Sequence, residues 1–584
     1  MKQGILNVAA ATPEIRVADC AYNAGQIIEL MKQAAEQGVQ VLVLPELCLT
    51  GSTCGDLFWQ ETLLEGAAAG LNRILEETAG LDVLAAVGLP VAEDGQLYNC
   101  AVLIKGGKVL ARAAKTKLSA GEGRWFTAGK SAEMFDGLIP GVTLGVSFGD
   151  ECPKAGAQVM LHLSALPALA GSGVRRREWA KTVSAWGQCA CICADAGEGE
   201  STTDLVFGGH DLIAAKGVVL AEQRFETGLL TAEITLDELT GQCTGELPAQ
   251  HRELKVKASP FIPCEEVREE RFEEILTIAA LGLKKRLKHT HCAKAVIGLS
   301  GGLDSTLAIL TAVRAYDLLG WDRKGILAVT MPCFGTTART RSNAELLAEG
   351  LGTDFMTVDI GAAVKQHFAD IGHDMDDHSV TFENAQARER TQVLMDVANK
   401  LGGMVIGTGD LSELALGWCT YNGDQMSMYS VNGGIPKTLM RHLVAHIADR
   451  SEEKLACVLR DILDTPVSPE LLPPKDGEIA QRTEDLVGPY ELHDFYLYYA
   501  VGKALPPKKV YELARQALGG IYDNETLLKW LNNFYRRFFN QQFKRSCMPD
   551  GPKVGSLSLS PRGGFEMPSD AISALWLAEL EGLG

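Results

Sequence analysis

The most telling chemistry in this 584-residue chain lies in Ser300-Gly301-Gly302-Leu303-Asp304-Ser305, set between an apolar run, KAVIGL, and an apolar helical pattern, TLAILTAVRAY. Two glycines at a strand-to-helix turn let successive backbone N–H groups converge with the positive end of the helix, which makes an anion site suited to phosphate. No Gly-Lys-Ser/Thr closes the loop, so it is not of the Walker type. Asp304 carries the most information. A carboxylate inside a phosphate cradle repels its ligand unless a divalent cation lies between them, so the loop itself argues for Mg2+. The plain alternative is a glycine turn followed by a helix-capping Asp.

A loop of this kind needs a strand to carry it and a helix to receive it. From Glu265 onward KAVIGL, KGILAVTM, DFMTVDI and GGMVIGTG are apolar runs separated by helical stretches long enough for right-handed crossovers, which predicts a doubly wound parallel sheet. Residues 1–245 read differently. Short β-runs such as GILNVAA, VQVLVLPEL, TLGVSFGD, VMLHLSA and CACICADAG alternate with amphipathic helices, one near Ala18 to Gln37, and predict a strand-rich layered α/β domain. Between them LPAQHRELKVKASPFIPCEE is polar, holds three prolines and loses periodicity. The reading is therefore a first domain over 1–245, a linker over 246–264 and a second domain over 265–584, with no internal repeat.

Composition narrows the partners. With 46% hydrophobic and 22% charged residues the chain has the balance of a folded globular protein. Its 55 Lys+Arg against 74 Asp+Glu give a net charge of -19, which argues against nucleic acid and anionic membrane as partners. Apolar stretches such as Leu161 to Ala170 fall short of the ~20 residues that span a bilayer, and Met1-Lys2-Gln3-Gly4 leads into a strand pattern without a signal-peptide core, so a cytoplasmic location is expected. The fifteen cysteines should then be reduced. Cys189, Cys191 and Cys193 alternate as on one strand face, and no spacing suits zinc, so they read as small buried hydrophobes.

The loop SGGLDS resembles the SGGxDS signature of the ATP pyrophosphatases, which split ATP between the α and β phosphates. ENAQARERT (383–391), GTGDLSELALGWCTYNGDQMSMYSVNGGIPKTL (407–439), GPYELHDFYLYY (488–499) and FKRSCMPDGPKV (543–554) look like the synthetase domain of the glutamine-dependent NAD+ synthetases, over nearly all of 265–584. The resemblance implies adenylation of the nicotinate carboxylate of deamido-NAD+, then attack of ammonia to give NAD+, AMP and pyrophosphate. The reaction makes chemical sense. A carboxylate is a poor electrophile, and transfer of AMP supplies a leaving group while pyrophosphate departs into the N–H cradle with Mg2+ balancing its charge. By the same resemblance Asp304 and Glu413 ligate the metal, Ser300, Gly301, Gly302 and Ser305 hold phosphates, and Thr408 and Lys437 contact ATP. Asn384, Arg388, Glu413, Trp418, Tyr421, Asp424 and Lys544 match positions that bind deamido-NAD+. Singly, each has a plainer reading: Arg388 as a solvated helix charge, Trp418 and Tyr421 as core or rim aromatics, Glu413 as a surface helix residue.

VLVLPELCLTG (41–51), AAKTKL (113–118) and GEGESTTDL (197–205) look like the nitrilase-type glutaminase domain of the same family, an α-β-β-α sandwich. Such domains use a Glu base, a Lys that stabilises the oxyanion and a Cys nucleophile at a strand end. Glu46 matches the base, and its place after VLVLP would raise its pKa by desolvation. Lys115 matches the lysine, with Lys117 the weaker candidate; both Glu46 and Lys115 could instead be ordinary strand-end charges. At the third position the chain departs from the pattern. Val146-Ser147-Phe148-Gly149-Asp150-Glu151 puts Gly149 where the nucleophile belongs. Two pocket tyrosines are replaced as well, by Ser52 and Gly121. Cys152 is the candidate substitute, but three residues move a Cα by ~4.5 Å along a helix or ~10 Å along a strand, while a misplacement of about 1 Å can cost 10²-fold in rate.

The expected activity is thus ATP- and Mg2+-dependent amidation of deamido-NAD+ by an enzyme whose glutaminase half has lost hydrolysis and whose nitrogen donor is free ammonia. Two other readings stay open: a glutamine-hydrolysing enzyme using Cys152 or a borrowed nucleophile, and a non-catalytic scaffold or regulatory protein. The resemblance also implies a homo-oligomer, at least a dimer.

Overall fold

Runs of small and branched apolar residues build two six-stranded sheets in the N-terminal part of the protein. In this computed structural model residues 4–131, 133–151, 155–243, 255–335, 338–465, 471–472 and 483–583 are described. They fall into two compact units, Met1–Ser201 with Val206–Arg252, and Thr202–Leu205 with Glu253–Gly584. In the first unit one sheet runs, in spatial order, Gly228–Thr235, Ile5–Thr12, Val41–Val43, Leu84–Glu93, Gln96–Lys105 and Lys108–Ala114. The other runs Val218–Gln223, Asp211–Ala215, Ala190–Asp195, Val159–Ser164, Val142–Phe148 and Met134–Ile139. Central strands of both sheets pair in parallel.

Period-two alternation decides what each face meets. Leu6, Val8 and Ala10 pack with Val146, Phe148, Leu161 and Ile192 in a core between the two sheets. Their neighbours Ala9, Ala11 and Leu42 face outward onto the helix Cys20–Glu36, through Ala24, Ile27 and Met31. On the opposite side Met160, Cys191 and Cys193 pack on Ala180 and Val183 of the helix Ser172–Trp186. The result is the expected α-β-β-α sandwich. Cys191 and Cys193 share the helix-facing side of their strand, and Cys189 lies one residue before it; all three are buried free thiols.

The second unit holds a five-stranded sheet in the order Asp354–Thr357, Ile326–Thr330, Ala295–Gly298, Met404–Gly407 and Tyr429–Ser430, every pair parallel. The four apolar runs read from the sequence are the first four of these strands. The short edge strand Tyr429–Ser430 has no apolar run to announce it. Chain order reverses on either side of Ala295–Gly298, and at such a switch point the carboxyl ends of the strands leave a crevice for ligands. The SGGLDS loop leaves that strand directly. Beyond the sheet, Tyr490–Tyr496, Pro507–Leu518 and Asn524–Asn540 bury Tyr496, Phe495, Phe534 and Phe538 in an aromatic core that includes Leu411, Leu414 and Leu416. That packing fixes the short helix Leu411–Leu416, which carries Glu413. Among the described residues no helix is long and apolar enough to cross a membrane.

Candidate functional site

At the loop after Ala295–Gly298 the backbone takes a shape only glycine accepts. Gly301 has φ +83°, and a Cβ on it would stand 2.1 Å from the carbonyl oxygen of Thr340. The N–H of Gly302 donates to Ser300 Oγ at 3.2 Å, and the hydroxyls of Ser300 and Ser305 lie 3.2 Å apart. Asp304 follows in the first turn of the helix Leu303–Leu319. The amide of Asn432 donates both to the carbonyl of Asp304 (2.9 Å) and to that of Thr408 (3.0 Å), which ties the loop to the end of the neighbouring strand Met404–Gly407.

Three carboxylates converge on one ammonium beside this loop. Lys437, the first residue of the helix Lys437–Ala448, sends Nζ to Asp304 Oδ1 (2.6 Å), Asp410 Oδ2 (2.6 Å) and Glu413 Oε1 (2.9 Å), and the Tyr490 ring lies 5.3 Å away. Asp410 caps the helix Leu411–Leu416 by accepting the N–H of Glu413 at 2.8 Å. One oxygen from each of Asp304, Asp410 and Glu413 lies within 4.8 Å of the others. Oxygen donors gathered so closely suit a hard divalent cation, and Asp304 and Glu413 are both in the group. Burial pushes the Glu413 carboxyl up to about 7, against the pull of Lys437 and with the push of Asp304. Burial also disfavours the Lys437 ammonium, but the three carboxylates outweigh it and hold its pKa well above the ordinary value.

Glu413, Cys419, Asp424 and Gln425 line one cleft, and a second group gathers at the turn that carries Asp424. The helix Val380–Leu401 brings Asn384 and Arg388 to the turn at 418–424. There the Thr420 hydroxyl donates to Asn384 Oδ1 (2.8 Å), Arg388 Nε to the Tyr421 carbonyl (3.3 Å) and the Thr420 N–H to Asp424 Oδ1 (2.7 Å). Tyr421 is 38% exposed against the ring of Phe543, and Trp418 stacks under the guanidinium of Arg537. Lys544 donates to the carbonyls of Gly417 and Cys419, each at 2.7 Å, so its ammonium braces this turn from behind.

In the first unit Glu46, Lys115 and Gly149 meet at the ends of three strands. Glu46 Oε1 accepts from Lys115 Nζ at 2.7 Å and from Asn99 Nδ2 at 2.6 Å, and Lys115 donates a second time to Glu122 Oε1 at 2.6 Å. Burial raises the Glu46 carboxyl to about 7 although Lys115 opposes it. Burial works against the charge of Lys115, and the two glutamates outweigh it and keep its pKa raised. Gly149 has φ +47° directly after the strand Val142–Phe148, and a Cβ there would point between Lys115 Nζ (3.6 Å) and Glu46 Oε2 (3.9 Å). Lys117 is exposed. Ser52 gives its N–H to Glu200 Oε1 at 2.7 Å, Gly121 is exposed, and Cys152 lies outside the described residues.

Several residues of these groups escaped the sequence reading. Asp410 could have been found, since Asp410 with Glu413 three residues on forms a capping signature. Glu122 and Asn99 carry no local signal. Glu151 binds the backbone N–H groups of Thr116 and Lys117 through one oxygen and that of Phe148 through the other, and so joins the strand end at Gly149 to the lysine's loop.

Residues 275–522 match the NAD synthase family and residues 7–148 the carbon-nitrogen hydrolase family. The chain is similar to the glutamine-dependent NAD(+) synthetase of Mycobacterium tuberculosis, 35% identical with 99% of this chain and 98% of the relative covered. It is also similar to that of Aquifex aeolicus, at 26% identity with 94% and 97% covered. Among solved structures, a glutamine-dependent NAD(+) synthetase from Cytophaga hutchinsonii superposes with a TM-score of 0.81 at 20% identity, covering 99% of this chain and 100% of that one.

Proposed function

The chain belongs to the glutamine-dependent NAD+ synthetases, which are ligases; we propose that it adenylates deamido-NAD+, as that membership implies, and that it departs from the family in taking free ammonia as its nitrogen donor. The carboxylate oxygen of the nicotinate attacks the α-phosphorus of ATP, pyrophosphate leaves, ammonia attacks the acyl carbon of the adenylate, and AMP departs with a proton released to solvent. The observation that carries the synthetase half is the convergence of Asp304, Glu413 and Lys437 beside a glycine loop built for phosphate. Asp304 and Glu413 would hold Mg2+, which supplies charge neutralisation for the departing pyrophosphate. Lys437 supplies a fixed positive charge beside the same oxygens, and Ser300, Gly302 and Ser305 supply donors to them. Asn384, Arg388, Trp418, Tyr421, Asp424 and Lys544 form or brace the surface on which deamido-NAD+ lies, and Thr408 sits at the ATP side.

The ammonia preference rests on Gly149. Glu46 and Lys115 stand as a base and an oxyanion partner would, but the residue between them has no side chain to form a thioester. Assays with ammonium and with glutamine, side by side, test both halves. NAD+, AMP and pyrophosphate should appear with ammonium and scarcely with glutamine. ADP and phosphate as products would overturn the adenylation step, and equal rates with the two donors would overturn the ammonia reading.

A further inference from the structure

The cluster at Lys437 contains one carboxylate that differs from the other two. The side chains of Asp304 and Glu413 keep 26% and 17% of their surface exposed, whereas Asp410 has none. Asp410 Oδ1 accepts the Glu413 N–H at 2.8 Å, and Oδ2 lies 2.6 Å from Lys437 Nζ as an ion pair without a hydrogen bond. Fully ionised, three carboxylates against one ammonium would carry two net negative charges, which one divalent cation balances. If such a cation were held by Asp304 and Glu413, their hold on Lys437 would weaken. A buried ammonium stripped of counter-ions is costly, and without another anion Lys437 would hold on to the metal's own ligands.

We propose that Asp410 is a positioning residue that serves as the permanent counter-ion of Lys437, so that Asp304 and Glu413 are free to turn to the metal while the ammonium stays at the phosphate loop. The inference rests on the reading of Asp304 and Glu413 as metal ligands. Its rival is that Asp410 binds the metal itself, since its oxygen also lies within reach. The two differ in what the cation sees.

The test is Mn2+ binding to the full-length protein, followed by electron paramagnetic resonance in wild type and in Asp410→Asn. Asparagine keeps an oxygen to accept the Glu413 N–H, so the helix cap survives, while an NH2 group replaces the oxygen that faces Lys437 and the ion pair is lost. The expected result is Mn2+ binding weakened roughly tenfold or more, with the number of water ligands on bound Mn2+ unchanged at saturation and the melting curve near that of wild type. Unchanged affinity overturns the proposal. One additional water on Mn2+ in the variant also overturns it, because Asp410 would then be a ligand. Failure of wild type to bind Mn2+ overturns the metal reading and the proposal with it. If Asp410→Asn does not fold, Asp410→Ser, which also caps helices, replaces it with the same expected readouts.

Discussion

Gly149 faces Lys115: a Cβ on the glycine would stand 3.6 Å from the lysine Nζ, in ordinary contact distance, with Glu46 Oε2 at 3.9 Å. The direction a thiol would take is therefore open and leads to both Glu46 and Lys115. Gly149→Cys is expected to gain measurable glutamine hydrolysis. The gain should be partial, because φ +47° at this position costs a non-glycine residue about 1–2 kcal/mol and Ser52 and Gly121 stand where the resemblance leads one to expect tyrosines. Glutamate release from glutamine, measured with ATP and deamido-NAD+ present, should be at background in wild type and in Cys152→Ala. Release by wild type that disappears in Cys152→Ala would make Cys152 the nucleophile and end the reading of a lost glutaminase.

Asp304→Ala removes a carboxylate from the head of a helix without opening the core, since its side chain is partly exposed. Turnover with ammonium should fall at least about 100-fold while the circular dichroism spectrum stays as in wild type. Formation of AMP is the readout. Full activity at ordinary Mg2+ would remove Asp304 from the metal site.

Lys544 is tied to Gly417 and Cys419, the residues on either side of Trp418. Its loss leaves two carbonyls without their donor and loosens the turn on which deamido-NAD+ is read to lie. Lys544→Ala is expected to raise KM for deamido-NAD+ about tenfold, the equivalent of ~1.4 kcal/mol, with kcat nearly kept. A fall in kcat at saturating substrate with KM unchanged would give Lys544 a part in the chemistry instead.

Local patterns were the legible ones. The SGGLDS loop, its strand and its helix are contiguous in sequence, so spacing alone predicted the strand-turn-helix. Gly149 was equally visible, as a departure from the short motif of the family the chain resembles. Lys437 was different: 133 positions separate it from Asp304, and only the sheet's crossovers bring them to 2.6 Å. Asp410 and Glu413 share the stretch 407–439 with it, but that these two and Asp304 surround its ammonium is a product of topology that spacing does not show. Glu122 escaped for another reason. It stands in an irregular stretch, GEGR, where neither helix nor strand periodicity distinguishes a partner of Lys115 from any surface acid.

The pairing of Lys115 with Glu46 and Glu122 gives a stability test whose sign depends on pH. Lys115 sits 7% exposed between the two carboxylates. Lys115→Met leaves both without a cation, and an uncompensated buried charge costs about 3–5 kcal/mol. Glu46 has its folded-state pKa raised to about 7, above the ordinary value of 4.5, so its ionisation already weakens the fold as pH rises through that interval. Without Lys115 its pKa should climb further, and the penalty should grow as pH rises. Glu122, which burial pushes up but Lys115 pulls below its ordinary pKa, loses that support already near about pH 5, so urea unfolding of wild type and Lys115→Met should diverge there and diverge more near about pH 8 as Glu46 ionises. Adding Glu46→Gln to Lys115→Met should recover part of the loss at the higher pH, because the two residues interact directly and their effects are not additive. A Lys115→Met variant as stable as wild type near pH 8 would show that the buried triad does not hold this part of the fold together.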